Sequence, residues 1–252
     1  MDEKSGIESF FNIKYNVILV INMFFSNKTK ENYVLFTDTE QYHFYKIKAD
    51  INVIFVTMVA GGGAGGIGFI DNHYYYAGGG GGAGSCMIGV PLDVKKGAIL
   101  KIRVGKGGNS ASNIDGQNST VEVLNGDEVE TTLTAYGGKN GKPNRESNGL
   151  FVKKLEGGKG GNTDLASFTK GNNGENGNIS IPSQSPAVAG SGGSSAFSVG
   201  GKGGGFKGFE HNLIGSDGKF GSGGGGSCPR VVIDTSKKVS GSGGDGMVKI
   251  EW

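Results

Sequence analysis

Apolar residues recur in two different ways along this chain. In the first sixty positions they form near-continuous runs: 15–25 (YNVILVINMFF), the short aromatic pieces 33–37 and 42–48, and 51–60 (INVIFVTMVA). The last is a β-branched run of the kind that fills a buried strand. SNKTKEN at 26–32 and residues 48–50 supply turn chemistry between the runs. Beyond residue 60 the pattern becomes strict alternation in short pieces. Leu100, Ile102 and Val104 share one face and Lys101 and Arg103 the other; Val121 and Val123 flank Glu122; Leu133 and Ala135 oppose Thr132, Thr134 and Tyr136. The closing MVKIEW sets Val248, Ile250 and Trp252 on one face. A period of two predicts half-buried strands. Residues 231–233 are another short run, and the final strand predicts an ordered C-terminus that closes a sheet. No segment after residue 60 reads as a helix.

Glycine separates these strands. Of 51 glycines only Gly6 lies in the first sixty positions; the rest fall between Gly61 and Gly246, clustered at 61–66, 78–84, 105–108, 137–141, 157–161, 200–205, 221–226 and 241–246. GKGG occurs at 105–108, 158–161 and 201–204, and GG(A/G)GSC at 81–86 and 223–228, each time leading into a β-like run. The recurrences have no fixed period, so no solenoid is implied. Collagen is excluded because no strict Gly-x-y repeat exists. A helical bundle is excluded because each interior glycine costs about 1 kcal/mol. As a bare count, 51 Gly and 5 Pro in 252 residues suggest low-complexity disorder. Confinement to clusters between well-patterned strands argues for order. Consecutive glycines can be flexible loops. They can also lie side by side as extended helices with three residues per turn, which only glycine permits at close quarters. Hydrogen bonds between neighbouring chains then stand in for a hydrophobic core. The expectation is an all-β protein with glycine-rich loops or polyglycine-II-type segments. It divides into an N-terminal strand or arm (1–32) and a glycine-rich β domain (33–252).

Charge narrows the function. The formal net charge is +2, from 25 basic and 23 acidic residues, which gives no strong pull toward nucleic acid or membrane. The polar, mixed-charge start does not look like a secretory signal. The 15–25 run is about half of the roughly 20 residues that span a bilayer. A soluble protein made in the cytosol, without a membrane span, is expected. Abundant asparagine reads as compositional bias.

The chemical motifs mostly dissolve on inspection. Gly61, Gly63 and Gly66 match a dinucleotide fingerprint, but the Ile67-Gly68-Phe69-Ile70 that follows cannot start the helix this motif needs. Gly141-Lys142 runs into Pro143 and makes no phosphate loop, and no GxSxG elbow occurs. Asp217-Gly218 and Asp245-Gly246 read as acidic turns, for want of a tandem calcium-binding array. His43, His73 and His211 are scattered without ligand spacing. The GKGG lysines solubilise a glycine surface. Cys86 and Cys228, in equivalent contexts, are two small buried thiols or one long-range pair. The sequons at Asn27, Asn118 and Asn178 are what chance gives in an Asn-rich chain. No catalytic residue, cofactor, metal or small-molecule substrate is expected, so the chain does not read as an enzyme. Tyr74, Tyr75 and Tyr76, between two glycine clusters, are the candidate contact for a glycan or partner protein; the alternative is a tyrosine pack over the sheet.

The order of the pieces resembles a known family. An aromatic strand precedes a buried strand that runs into GGGAGG (61–66), and AGGGGGAGS follows at 77–85. Next come KGAILKIRVG (96–105), a GKGG cluster, the small-polar strand QNSTV (117–121), AYGG (135–138) and the closing SGGDGMVKI (242–250). This layout, over roughly 33–252, resembles the glycine-rich domain of virion proteins in tailed phages and large DNA viruses. It is similar in style to the glycine-rich ectodomain of anaplastic lymphoma kinase-type receptors. The resemblance implies an antiparallel β-sandwich, jelly-roll-like, with no catalytic residues. It also implies a structural component of a virus particle: a minor capsid protein, made in the host cytoplasm, contacting other virion proteins as a homo- or hetero-oligomer. The alternative it implies is a tail or fibre adhesin binding a host surface receptor. The chain departs from the receptors in lacking a signal peptide, a span and paired cysteines, and from long fibres in lacking a heptad or collagen-like shaft.

Overall fold

The computed structural model describes residues 32–48, 50–71, 74–112, 114–142, 156–162, 170–180, 187–207, 210–212, 214–228 and 240–252. The expected run at 15–25, the arm that contains it, His73 and the 231–233 run lie outside the described residues. Tyr33–Trp252 is one compact unit. Its described secondary structure is all strand: β1 Tyr33–Phe36, β2 Tyr42–Lys46, β3 Val53–Val59, β4 Phe69–Asp71, β5 Tyr74–Tyr76, β6 Cys86–Asp93, β7 Ile99–Arg103, β8 Ser119–Asn125, β9 Glu128–Ala135, β10 Ile179–Ser180, β11 Gly205–Lys207, β12 Glu210–Asn212 and β13 Met247–Glu251.

Two antiparallel four-stranded sheets carry the apolar core, in the orders β1-β13-β3-β6 and β2-β7-β8-β9. The alternation read from the sequence sets their faces. In β7, Leu100 and Ile102 are fully buried while Lys101 and Arg103 stay half-exposed. Ile54, Val56, Met58, Val248 and Ile250 of the first sheet join Leu100, Ile102, Val121, Val123 and Leu133 of the second in a single buried cluster. Each such side chain contributes about 1.5–3 kcal/mol by leaving water. The C-terminal β13 inserts between β1 and β3, with Val248 opposite Met58 and Phe36, so the end of the chain closes the first sheet. A register shift between Val56 and Met58 marks a bulge in the β3–β6 pair. There Gly89, at φ 60°, donates its N–H to Oγ1 of Thr57 at 3.0 Å.

The glycine clusters are ordered by backbone hydrogen bonds with a period of three. In segment 60–66 the N–H groups of Ala60, Gly63 and Gly66 reach the carbonyls of Ser85, Gly82 and Gly79. Those of Gly61 and Ala64 reach Gln117 and Ile114, and those of Gly62 and Gly65 reach Gly244 and Gly241. The carbonyls of Gly61 and Ala64 accept from Gly138 and Gly141, those of Gly63 and Gly66 from Gly224 and Ser227, and that of Gly62 from Gly108. Successive residues thus point to different neighbours and every third returns to the same one, which is three-residue-per-turn geometry of the polyproline-II type. Segment 60–66 is ringed by six neighbours that it meets alternately as donor and acceptor. Segments 77–85 and 221–227 touch it and each other and are ringed in the same way. The outer shell is formed by 105–108, 114–117, 136–142, 156–162, 170–178, 187–193, 200–204, 214–219 and 240–246. Three inner and nine outer segments make a hexagonal bundle of twelve among the described residues.

Most of these glycines are required for space. Among the described glycines only Gly89, Gly97, Gly126 and Gly221 have positive φ. A Cβ on Gly63, Gly81 or Gly223 would instead land on the carbonyl oxygen of Lys139, Gly63 or Gly81, respectively.

Strands and glycine helices meet at one end of the bundle, the near pole. β3, β7 and β9 run out into 60–66, 105–108 and 136–142, while 77–85, 114–117 and 240–246 lead into β6, β8 and β13. These six junctions are laced together: Ala60 to Ser85 at 3.1 Å, Gly61 to Gln117 at 3.0 Å, Ser85 to Tyr136 at 3.0 Å and Gly246 to Gly105 at 2.8 Å, donor first.

Candidate functional site

The opposite end, the far pole, lies about six residues along the longer helices, or ~20 Å at ~3.1 Å per residue. There the chain leaves the bundle at 66 and returns beside it at 77, and the described ends of other segments likewise lie side by side. Lys142 donates to Glu156 at 3.1 Å, Ala77 to Asn178 at 2.9 Å, Asn178 to Val188 at 3.0 Å, and Gly66 to Gly79 at 2.7 Å. Three of these connections contribute strands: β4 and β5, with β10 from another, make the three-stranded sheet β10-β5-β4, and β11 pairs with β12.

The three tyrosines sit on this sheet. Strand alternation divides them between its two faces. Tyr75 packs on Ala77, Ala187, Ala189 and Cys228, which anchors the sheet to the bundle. Tyr74 and Tyr76 share the other face with Phe69. The Tyr76 ring stacks on Phe69 with centroids 4.6 Å apart and planes 8° apart, and Tyr74 lies 6.4 Å from Tyr76. Tyr74 is 44% exposed. The signal missed in the sequence was the strand pair itself: Phe69–Asp71 and Tyr74–Tyr76 are too short to show alternation.

Several other singled-out residues have structural partners. The N–H groups of Gly61, Gly63 and Gly66 are all spent on Gln117, Gly82 and Gly79, so the apparent dinucleotide motif has no donor left for phosphate. Nε2 of His43 lies 2.9 Å from the carbonyl oxygen of Asp38, with the ring against Phe36. Cys86 and Cys228 are separate buried thiols, and the Cys228 thiol lies 3.3 Å from the carbonyl oxygens of Ala187 and Gly204. Among the described residues no three His, Cys, Asp or Glu side chains are grouped to hold a metal. Lys106 of the first GKGG pairs with Glu40, which raises its pKa, and Lys95 and Asn125 lower that of Glu130.

Asparagine and aspartate have a role that composition concealed. Oδ1 of Asp245 accepts from the N–H of Gly107 at 2.7 Å and Oδ1 of Asp217 from that of Ser242 at 2.6 Å. Asn118 and Asp115 cap the N–H groups of Gly137 and Asn140 at 3.0 and 2.8 Å. Oδ1 of Asn178 caps Val188 at 2.7 Å, so the sequon residues Asn118 and Asn178 both have their side chains engaged in the rim of the bundle.

The glycine-lined packing of the bundle has a counterpart in sequence. Residues 37–252 correspond to the family described as Glycine-rich domain. The chain belongs to that family. Comparison with curated proteins gives no match. No helix among the described residues of this glycine-rich domain is long and apolar enough to cross a membrane.

Proposed function

We propose that this glycine-rich domain is a non-enzymatic component of a virus particle that binds another macromolecule with its far pole, the adhesive alternative raised by the sequence resemblance. One observation carries the reading: six strand–helix junctions are gathered at the near pole, and the excursions bearing Tyr74 and Tyr76 emerge at the far one. A rigid scaffold that presents a connection bearing exposed aromatic side chains is a common arrangement of a binding surface. Tyrosine offers such a surface large contact area at low entropic cost. The near pole, with its two sheets sharing one core as a jelly-roll-like sandwich would, is then the side that docks to the particle.

The test is binding of labelled protein to host cells. Tyr74→Ala/Tyr76→Ala should lose at least about tenfold in affinity, as truncation of an interface anchor does, with an unchanged far-ultraviolet circular dichroism spectrum. Full retention of binding by the variant would sink the proposal, as would turnover of any substrate by the wild type. A minor-capsid role is favoured by a different observation: Leu35, Phe44, Phe55 and Ile88 are exposed on the sheets and could meet coat subunits. It predicts co-sedimentation with coat protein that Phe44→Ser weakens and the tyrosine variant leaves intact.

A further inference from the structure

Helix 156–162 lies at the rim of the bundle, and its three rows of residues have three fates. The N–H groups of Gly158 and Gly161 point inward to the carbonyls of Gly80 and Ala83, and both residues are buried. Lys159 is exposed, and its carbonyl accepts from the N–H of Lys139. The third row, Gly157 and Gly160, is half-buried. Its N–H groups face away from the inner helix, toward the position a further helix would occupy if the hexagonal packing continued. Among the described residues no backbone carbonyl meets them. The side chains of Asn176 and Asn173, exposed on the adjacent helix 170–178, bend over and accept at 2.9 and 2.8 Å. Their spacing of three matches the spacing of the donors they cap. In the interior, the same rows of N–H groups three apart are filled by the carbonyls of another glycine helix, as Gly78 and Gly81 are by Ser227 and Gly224.

We propose that Asn173 and Asn176 end the lattice: the edge formed by 156–162 is a latent assembly surface, and the partner it fits once uncapped is a glycine helix of a second copy of this chain. A second copy carries carbonyl rows of the same period on its own glycine helices, so the uncapped donor row of one copy meets an acceptor row of the other in a heterologous contact. An open edge of backbone donors is an association hazard in glycine helices for the reason that it is in β-sheets, where side chains and charges are used to block it. The asparagines act here as surrogate carbonyls that no incoming chain can extend.

The experiment compares the wild type with Asn173→Ala/Asn176→Ala and Asn173→Asp/Asn176→Asp by sedimentation equilibrium over a concentration series. The Asp pair keeps an acceptor oxygen at each cap. The Ala pair is expected to form a species at least twice the wild-type mass at high concentration, with unchanged far-ultraviolet circular dichroism, and the Asp pair to sediment with the wild type. An Ala pair that sediments with the wild type overturns the proposal. So does an Ala pair that unfolds, because the caps would then be holding the fold together, and so does an Asp pair that associates as the Ala pair does.

Discussion

Gly81 and Gly126 show that glycine is used in two unlike ways. Gly126 sits in the β8–β9 turn at φ 64° with nothing within 4 Å of where a Cβ would go. Gly81 has an ordinary φ, but its Cβ would fall on the carbonyl oxygen of Gly63. The first position is restricted by conformation and the second by space. Gly126→Ala should therefore cost about 1 kcal/mol through strain alone. Gly81→Ala should cost about 3 kcal/mol or more, because two backbones must move apart. Urea denaturation of both variants checks the ordering, and equal losses would contradict it. The sequence could not separate the two residues, since glycine carries no side chain to mark what it touches. Asparagine was opaque for a related reason. At Asn118, Asn173, Asn176 and Asn178 its function lies in an acceptor oxygen aimed at a donor on a different segment, a pairing that spacing along one chain does not reveal.

At the scale of elements, strands with one buried face were legible. The alternation at 99–103 and 247–251 is the burial pattern observed in β7 and β13, and the β-branched run at 51–60 became β3. Periodicity reports burial: β7 and β13 alternate buried and part-exposed residues, whereas β3 buries five of its seven. The order of strands within the sheets, and the order of glycine helices in the bundle, were not legible, because backbone-to-backbone pairing is the same for any partner. The join between the two kinds of element depends on a few hydroxyls. Ser119, at the start of β8, accepts the N–H of Gly105 at 2.9 Å and donates to the carbonyl of Val59 at 2.8 Å, tying three junctions together in a fully buried site. Ser119→Ala leaves a buried donor and a buried acceptor unmet, which should cost about 2–4 kcal/mol. Thermal or urea unfolding measures the loss, and a change under about 0.5 kcal/mol, the size of an ordinary surface substitution, would argue that water takes the place of the hydroxyl.

The unit Tyr33–Trp252 joins two interiors of opposite chemistry. Between the sheets the interior is aliphatic; in the bundle it is peptide groups paired with peptide groups, with only an occasional Ala64 or Ala83. The heat capacity of unfolding records this difference. Exposed apolar surface raises it and exposed polar surface lowers it, and an ordinary protein nets about 12–15 cal/mol/K per residue. Opening the bundle releases mostly polar backbone, so calorimetry of this protein should return a value per residue below that range. A smaller heat capacity means a flatter dependence of stability on temperature and a cold-unfolding transition displaced downward. The glycine lattice would thus make the fold less sensitive to chilling than a protein of equal size held together by aliphatic side chains alone.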